Sequence, residues 1–380
     1  MDADDVVRQR LRQQQLRPPR AVSAEAALKN LLAVQSQEFA YARWSLAQRT
    51  AGASAADVEQ AVADGRILRT HILRPTWHFV HRDDLRWLLT LSAPRLQRGN
   101  GAIYRQTGID ADTASRSARV LGAAVAGGAH KTREQLAADL QRHGFEAKGL
   151  GLAYLIMHAE VSGVLASGTP VRSTSGALKQ TYALFEERVP ALTGDPADRP
   201  AALAELVRRY FRSRGPATVK DCADWSGLTI ADVRLGLGRS LEADPGVLET
   251  TVLDGLDFHF SPAGDGSPGF DAESGGQPRI DLIQCYDEYI MGYSQSRYFL
   301  GGTAPARPDG DTPMHVVLRD GRMIGSWRHV LAAGRCELVI RTEQDPGPAG
   351  NRAIDEAIAG YGTFLGVPAV RAGVKLKGHF

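Results

Sequence analysis

The chain has 380 residues, of which 43% are apolar and 23% are charged, a composition typical of soluble globular proteins. No apolar run approaches the roughly 20 residues that a membrane-spanning helix needs, and the charged N-terminus is unlike a secretory signal. The net charge is only +2, but residues 1–105 hold fifteen arginines and one lysine against ten acidic residues. Such a basic region fits contact with a polyanion, although solvated helix faces would leave the same pattern.

The first predicted block, residues 1–107, contains helices followed by a two-stranded ribbon. A short helix over Val6–Leu16 precedes the break "RPP", and Ser23 is placed to cap a helix over Ala24–Val34. Two further helices follow, of which the second is capped by Ser54. The stretch "ILRTHILRPTWHFVH" predicts two short strands kinked at Pro75, and "RDDLRWLLTL" predicts another helix. This order is that of a winged helix.

The same order of elements recurs in residues 108–196 and 197–262. In the later block, Thr218 and Thr229 cap the two helices of a predicted helix–turn–helix. An Asp-Gly pair at 254–255 then predicts a hairpin. Recurrence of the order without recurrence of the sequence predicts three tandem winged-helix units.

The last predicted block, residues 278–380, follows the glycine-rich linker "PAGDGSPGFDAESGGQP". It alternates as strands, with a second Asp-Gly hairpin at 320–321 and a helix over about 351–364. We therefore predict an α+β fold in which three winged-helix units precede a C-terminal β-rich, barrel-like domain.

Metal and redox chemistry find little support in the sequence. Cys222, Cys285 and Cys336 form no CxxC pair, and their odd number argues against a disulfide framework, which predicts a reducing, cytoplasmic setting. His71, His78 and His81 are clustered, but their spacing on a ribbon favours structural or phosphate-binding histidines over metal ligands. A phosphate-binding glycine loop and the HExxH and GxSxG motifs are absent from the sequence.

Winged-helix units bind duplex DNA, but they also serve as scaffolds for protein interactions. The second helix of the helix–turn–helix, "IADVRLGLGRS", carries two arginines and no amide, which is weak for reading bases. A non-catalytic DNA-binding regulator and a protein-interaction scaffold therefore stay open at this point.

The stretch "AVQSQEFAYARW" places Gln35 and Gln37 at the predicted end of an apolar helix. Two carboxamides at this spacing can face one cleft, where they donate and accept hydrogen bonds but cannot remove a proton. They can hold one water molecule or contact the edge of a base. Glutamines on the surface of a helix are the plainer interpretation.

The chain resembles the AlkZ-like winged-helix DNA glycosylases in "LLAVQSQEFAYARWSLAQR" and "RTHILRPTWHFVHRDDLRWLL" taken together. The stretches "GPATVKDCADWSGLTIADVR", "LIQCYDEYIMGY" and "VLRDGRMIGSW" are similar to the same family, so the resemblance covers nearly the whole chain. It implies three winged-helix units in a C shape around duplex DNA. It also implies removal of alkylated purines, and of bulky adducts or interstrand crosslinks by some members.

The resemblance also implies a catalytic motif, Gln-x-Gln in one branch of the family and Gln-x-Asp in another. Gln35 and Gln37 match the first branch, with the polar Ser36 in place of the usual small or aliphatic residue. A cationic N7- or N3-alkylpurine leaves without a strong acid, so a water molecule held in line is sufficient. No lysine stands beside the motif, so we expect a monofunctional hydrolase, with no metal or cofactor, and a monomer is the default expectation. The predicted DNA-binding residues are Arg43, Arg69, Thr70, His71, Arg74, Trp77 and His78.

Two acidic residues in "YDEY", Asp287 and Glu288, form no recognisable catalytic pair. We expect them to be structural or to position the lesion-bearing strand. The identity of the lesion, and whether the base is extruded, stay open.

Overall fold

The computed structural model describes residues 1–173, 178–191, 194, 196, 198–262, 276–301, 315–332 and 334–372. Most of the predicted linker, residues 263–275, therefore lies outside the described residues. No helix in these ranges is long and apolar enough to cross a membrane.

The first unit begins with four helices and a strand and ends with a hairpin and two helices. Its strands form one sheet in the order β1-β3-β2. The elements are α1 (Ala3–Gln13), α2 (Ala24–Leu31), β1 (Ala33–Gln35), α3 (Phe39–Ala47), α4 (Ala55–Ala63), β2 (Ile67–His71), β3 (Trp77–His81), α5 (Arg82–Gly99) and α6 (Gly101–Gln106).

The second unit repeats this order, with β4-β8-β5 as its sheet and a small β6-β7 ribbon. Its elements are α7 (Ala111–Val125), β4 (Lys131–Thr132), α8 (Arg133–Arg142), α9 (Gly149–Val161), β5 (Leu165–Ser167), β6 (Val171–Arg172), β7 (Leu178–Lys179), β8 (Thr181–Leu184) and α10 (Phe185–Arg188).

The third unit has the same plan, reduced to a two-stranded hairpin, with Ala217 bridging His259 where the first strand would lie. Its elements are α11 (Arg199–Arg214), α12 (Val219–Ser226), α13 (Ile230–Ala243), β9 (Glu249–Leu253) and β10 (Leu256–Phe260). In each unit the first extended segment pairs with the last strand, which confirms the predicted winged-helix order.

Local sequence explains where several of these helices begin. In four helices the side chain of the cap residue accepts a hydrogen bond from the backbone N–H three residues later, and the side chain of that later residue accepts one from the backbone N–H of the cap. The cap residues are Ser54, Thr132, Thr218 and Thr229. These capping boxes satisfy two backbone N–H groups per helix, so the helix starts are set by short-range chemistry.

The C-terminal part is the predicted β-rich domain. One five-stranded sheet runs in the order β11-β12-β13-β14-β15, and buried Ile354, Ile358 and Tyr361 of the long helix contribute to its core. The elements are β11 (Ile280–Ile283), α14 (Glu288–Met291), a 3-10 turn (Arg297–Leu300), β12 (His315–Arg319), β13 (Arg322–Ala332), β14 (Arg335–Thr342), α15 (Gly347–Leu365) and β15 (Ala369–Arg371).

The prediction was wrong at the glutamine motif. The helix predicted through Val34 ends at Leu31, because Leu32 adopts a positive φ of 66° and turns the chain. The next three residues pair with β3, and Gln35 lies opposite His78. The motif therefore leaves a strand and not a helix, and the pairing that causes this comes from residues more than 40 positions away.

Buried ion pairs join the C-terminal domain to the first unit. Arg49 and Asp287, both without exposed surface, form a two-pronged pair with N···O distances of 2.7 and 2.9 Å. Arg17 and Asp281 form another at 2.8 and 3.0 Å. Asp287 thus has the structural role expected for it.

Aromatic stacking makes a second contact between these parts. The ring of Tyr41 in α3 lies 3.9 Å from that of His315 and 4.6 Å from that of His329, between centroids. Burial lowers the pKa of His315 to about 3 and that of His329 to about 4, so both rings are neutral at pH 7.

Replacing Asp287 by Asn should destabilise the chain by about 3–5 kcal/mol, because Arg49 would keep a buried, uncompensated charge. Urea denaturation measures this change as a lower midpoint. The control is Glu242→Gln, which breaks the exposed pair with Arg239 and should cost less than about 1 kcal/mol. Equal midpoints for the two variants would contradict the structural role of the buried pair.

Stability should fall as the pH drops from 6.5 toward 4. The unfolded chain takes up protons on His315 and His329 below their ordinary pKa of 6.5, while the folded chain does not until about pH 3 and 4. The substitution His315→Asn removes one of the two titrating histidines, so the loss of Tm on acidification should be smaller. The amide oxygen of the new side chain can still accept the hydrogen bond from the Cys285 N–H. Thermal melts between pH 7.5 and 4.5 measure it, with exposed His143→Asn as control. A slope unchanged by His315→Asn would contradict this account.

Candidate active site

The two glutamines leave the first sheet at one point. Gln35 is the last residue of β1 and is 3% exposed, whereas Gln37, two residues on, is exposed to solvent. Between them, the Ser36 N–H donates to the carbonyl of Trp77 at 2.7 Å, which extends the pairing with β3 by one step. One carboxamide is therefore held in the interior and the other reaches the surface.

Gln35 is held by groups from three directions. Its Oε1 accepts from Arg74 Nη2 at 2.8 Å, and its backbone N–H donates to Glu288 Oε1 at 2.9 Å. Its carbonyl lies 3.5 Å from Gln284 Nε2. Within the described ranges, no group accepts a hydrogen bond from Gln35 Nε2. The amide nitrogen therefore has no protein partner among the described residues.

Arg69 braces the backbone of the motif. Its Nε donates to the Ser36 carbonyl at 3.0 Å and its Nη2 to the Gln37 carbonyl at 3.2 Å, while Nη1 donates to Gln180 of the second unit at 2.6 Å. The guanidinium also lies 4.5 Å from the centre of the Trp77 ring. Burial lowers the pKa of Arg69 to about 10, so the side chain stays charged at pH 7.

His78 is a neutral histidine beside Gln35. It is fully buried, and its Nδ1–H donates to the Thr76 carbonyl at 2.9 Å, which leaves Nε2 as an acceptor 3.4 Å from Arg74 Nη2. Burial, and then the neighbouring Arg74 charge, hold the pKa of His78 well below 6.5. His78 is therefore uncharged at neutral pH and cannot act as a general acid.

The hairpin of β2 and β3 is the wing of the first unit, and a histidine–glutamate pair holds it against the second unit. His71 Nδ1 lies 2.8 Å from Glu160 Oε2, and Glu160 is fully buried in α9. Burial raises the pKa of Glu160, although His71 opposes this shift. The His71 and Trp77 rings lie 4.0 Å apart between centroids, tilted by 42°, and the backbone N–H of Trp77 donates to Gln37 Oε1 at 3.4 Å. These contacts run from α9 through His71 and Trp77 to Gln37, and together they position the exposed glutamine.

Glu288 is a site residue whose role the sequence left undefined. Its Oε2 accepts from Arg214 Nη2 at 2.6 Å and from Trp225 Nε1 at 2.7 Å, and its Oε1 accepts from the Gln35 N–H. The only sequence signal was the acidic pair in "YDEY". Its partners lie in α11 and α12, and nothing in the spacing of the chain identifies them.

The predicted site residues divide into two groups. Most surround the glutamines, but Arg43 lies apart, ion-paired with Glu59 and 5.6 Å from the ring of Phe39. Thr70 is 1% exposed and lies opposite His78 in the sheet. The residues gathered around the motif are Gln35, Gln37, Arg69, Thr70, His71, Arg74, Trp77 and His78.

Two cavities are separate from the motif. One, of about 690 Å³, lies between the C-terminal end of α3 and α15 and is lined by Trp44, Gln48 and Phe364. The other, of about 40 Å³, lies beside Arg69 and Gln180. Neither is lined by Gln35 or Gln37, and no group of three His, Cys, Asp or Glu side chains in the described ranges could hold a metal.

Comparisons with known proteins agree with this architecture. The family model described as DNA glycosylase AlkZ-like matches residues 28–364. The structure is similar to that of the Streptomyces sahachiroi DNA glycosylase AlkZ, with a TM-score of 0.74 and 20% identity over 98% of this chain and 100% of that one. A search of curated proteins found no match. Because the family model spans most of its length, the chain belongs to the AlkZ-like DNA glycosylase family.

Proposed function

We propose that this DNA glycosylase hydrolyses the N-glycosidic bond of cationic N7- or N3-alkylated purines in duplex DNA. Bulky adducts and interstrand crosslinks are within this class. The observation that carries the proposal is the pair of carboxamides at the end of β1. One is clamped in the interior and the other is at the surface, where a water molecule and a damaged nucleotide can meet.

The proposed chemistry needs no acid or base of unusual strength. An alkylated purine already carries positive charge, so its departure leaves a neutral base and an electrophilic sugar. A carboxamide can hold water by donating and accepting hydrogen bonds, and correct placement is the main requirement for attack. The neutral His78 supports this proposal, because it adds no positive charge beside a cationic base.

The three winged-helix units would surround the duplex. Gln37 would approach the damaged nucleotide from the exposed end of the motif, and His71 and Trp77 would lie beside it on the wing. We propose that His71 and Trp77 contact the DNA from this placement. The three free cysteines support action in a reducing cytoplasm, where we propose that the enzyme acts as a monomer.

Gln35→Ala and Gln37→Ala should each slow excision of N7-methylguanine from duplex DNA by about 100-fold, because the attacking water would lose its placement. Single-turnover kinetics, with abasic sites revealed by heat or base, measure the rate. The control is Gln60→Ala, which removes an exposed glutamine of α4 and should leave the rate unchanged. A double Gln35/Gln37 variant with the wild-type rate would end the proposed mechanism.

The enzyme should act without a covalent Schiff base. No lysine is hydrogen-bonded to Gln35 or Gln37 among the described residues, and we propose that no amine attacks the sugar. Borohydride treatment during turnover should therefore trap no protein–DNA adduct, and strand cleavage should appear only after heat or base. A trapped adduct would contradict the proposed hydrolysis by water.

A further inference from the structure

We infer that Arg74 is a positioning residue of the glutamine pair and not a phosphate ligand, an inference that rests on the proposed function. Its guanidinium holds the Gln35 carboxamide with the oxygen facing inward. Gln35 therefore presents its Nε2–H to the attacking water as a donor. Gln37, whose side chain is exposed and whose Oε1 accepts a long 3.4 Å bond from the Trp77 backbone N–H, supplies the acceptor with its remaining lone pair.

The two terminal nitrogens of Arg74 contact three separate elements. Nη2 donates to Gln35 Oε1 of β1 at 2.8 Å and lies 3.4 Å from His78 Nε2 of β3. Nη1 donates to the Trp225 carbonyl of α12 at 3.0 Å. A DNA phosphate could take the place of these contacts only by displacing buried partners, and burial lowers the pKa of Arg74.

The chemistry of the guanidinium decides the orientation of the amide. Arg74 can only donate hydrogen bonds, so the Gln35 atom that faces it must be the carbonyl oxygen. The amide nitrogen then lies on the opposite side, where no described group accepts from it. A flipped amide would place two donors against each other and lose the bond.

The third unit also packs against the backbone of Leu73, the residue before Arg74. Gly227, at the turn after α12, has a φ of 69°, and a Cβ added there would lie 2.6 Å from the Leu73 carbonyl. Only a glycine allows this close approach of the helix–turn–helix to the wing. The third unit therefore positions Arg74 through both its backbone neighbour and its side chain.

Arg74→Met keeps the length of the side chain and removes its donors, and Arg74→Lys restores one donor. Single-turnover excision of N7-methylguanine should slow by about 100-fold in the Met variant and recover in part in the Lys variant. Affinity for undamaged duplex, and its salt dependence, should stay within about twofold of wild type, because no phosphate contact is lost. The control is Arg82→Met, since Arg82 is exposed near the end of the same wing and should leave both measurements unchanged.

A double variant separates positioning from DNA contact. Gln35→Ala combined with Arg74→Met should be no slower than Gln35→Ala alone, because Arg74 would then have no carboxamide to orient. A normal excision rate with weaker, less salt-dependent binding in Arg74→Met would overturn the inference and make Arg74 a phosphate ligand. Additive losses in the double variant would overturn it as well.

The NMR resonances of the Gln35 side-chain amide provide a readout that does not need activity. They should shift in Arg74→Met and stay in place in Arg82→Met, while thermal melts show that each variant is folded. If the wild-type chain excised no alkylpurine, the proposed function would fail while this measurement still tested the clamp. If the wild-type enzyme is active but the Gln35 resonances do not shift in Arg74→Met, the inference is wrong and the proposed function stands.

Discussion

The buried carboxylate of Glu288 joins three parts of this molecule at one point. It accepts from Arg214 in α11, from Trp225 in α12 and from the backbone N–H of Gln35 in β1. An uncompensated charge in such a place would be very costly, so the three donors and the acid stabilise one another only when all are assembled. The position of the glutamine motif is therefore a consequence of how the units pack.

The basic character of the N-terminal region has a partly structural cause. Arg10 is fully buried, donating to the Pro216 carbonyl and to Ser296 and packing 3.7 Å from the centre of the Tyr293 ring. Arg17 and Arg49 are buried in ion pairs with the C-terminal domain. These three arginines count toward the basic charge of the N-terminal region, but they hold parts of the protein together. The positive surface that a polyanion could contact is therefore smaller than the charge of residues 1–105 suggests.

The same lesson applies to the residues around the motif. Arg69 and Arg74 lie beside the glutamines, as the resemblance to the family predicts for DNA contacts, but their donors point into the protein. A site assembled from neutral carboxamides and a neutral His78 depends on exact placement, since no group in it is a strong acid or base. Rigid support by arginines with several partners suits that demand better than a mobile surface charge would.

Local chemistry in the sequence determined much of the fold. The caps at Ser54, Thr218 and Thr229, the Asp-Gly hairpins and the alternation of the last block depend on residues a few positions apart, so they predict the winged-helix units and the β-rich domain. The glutamine pair was identified in the same way, through a short motif.

Tertiary structure alone decided where that pair is placed. The strand at Gln35, the Arg74 clamp and the Glu288 anchor join residues 39 to 253 positions apart. Chain spacing carries no signal of such pairings, because a buried charge or amide selects its partner by the packing of whole units.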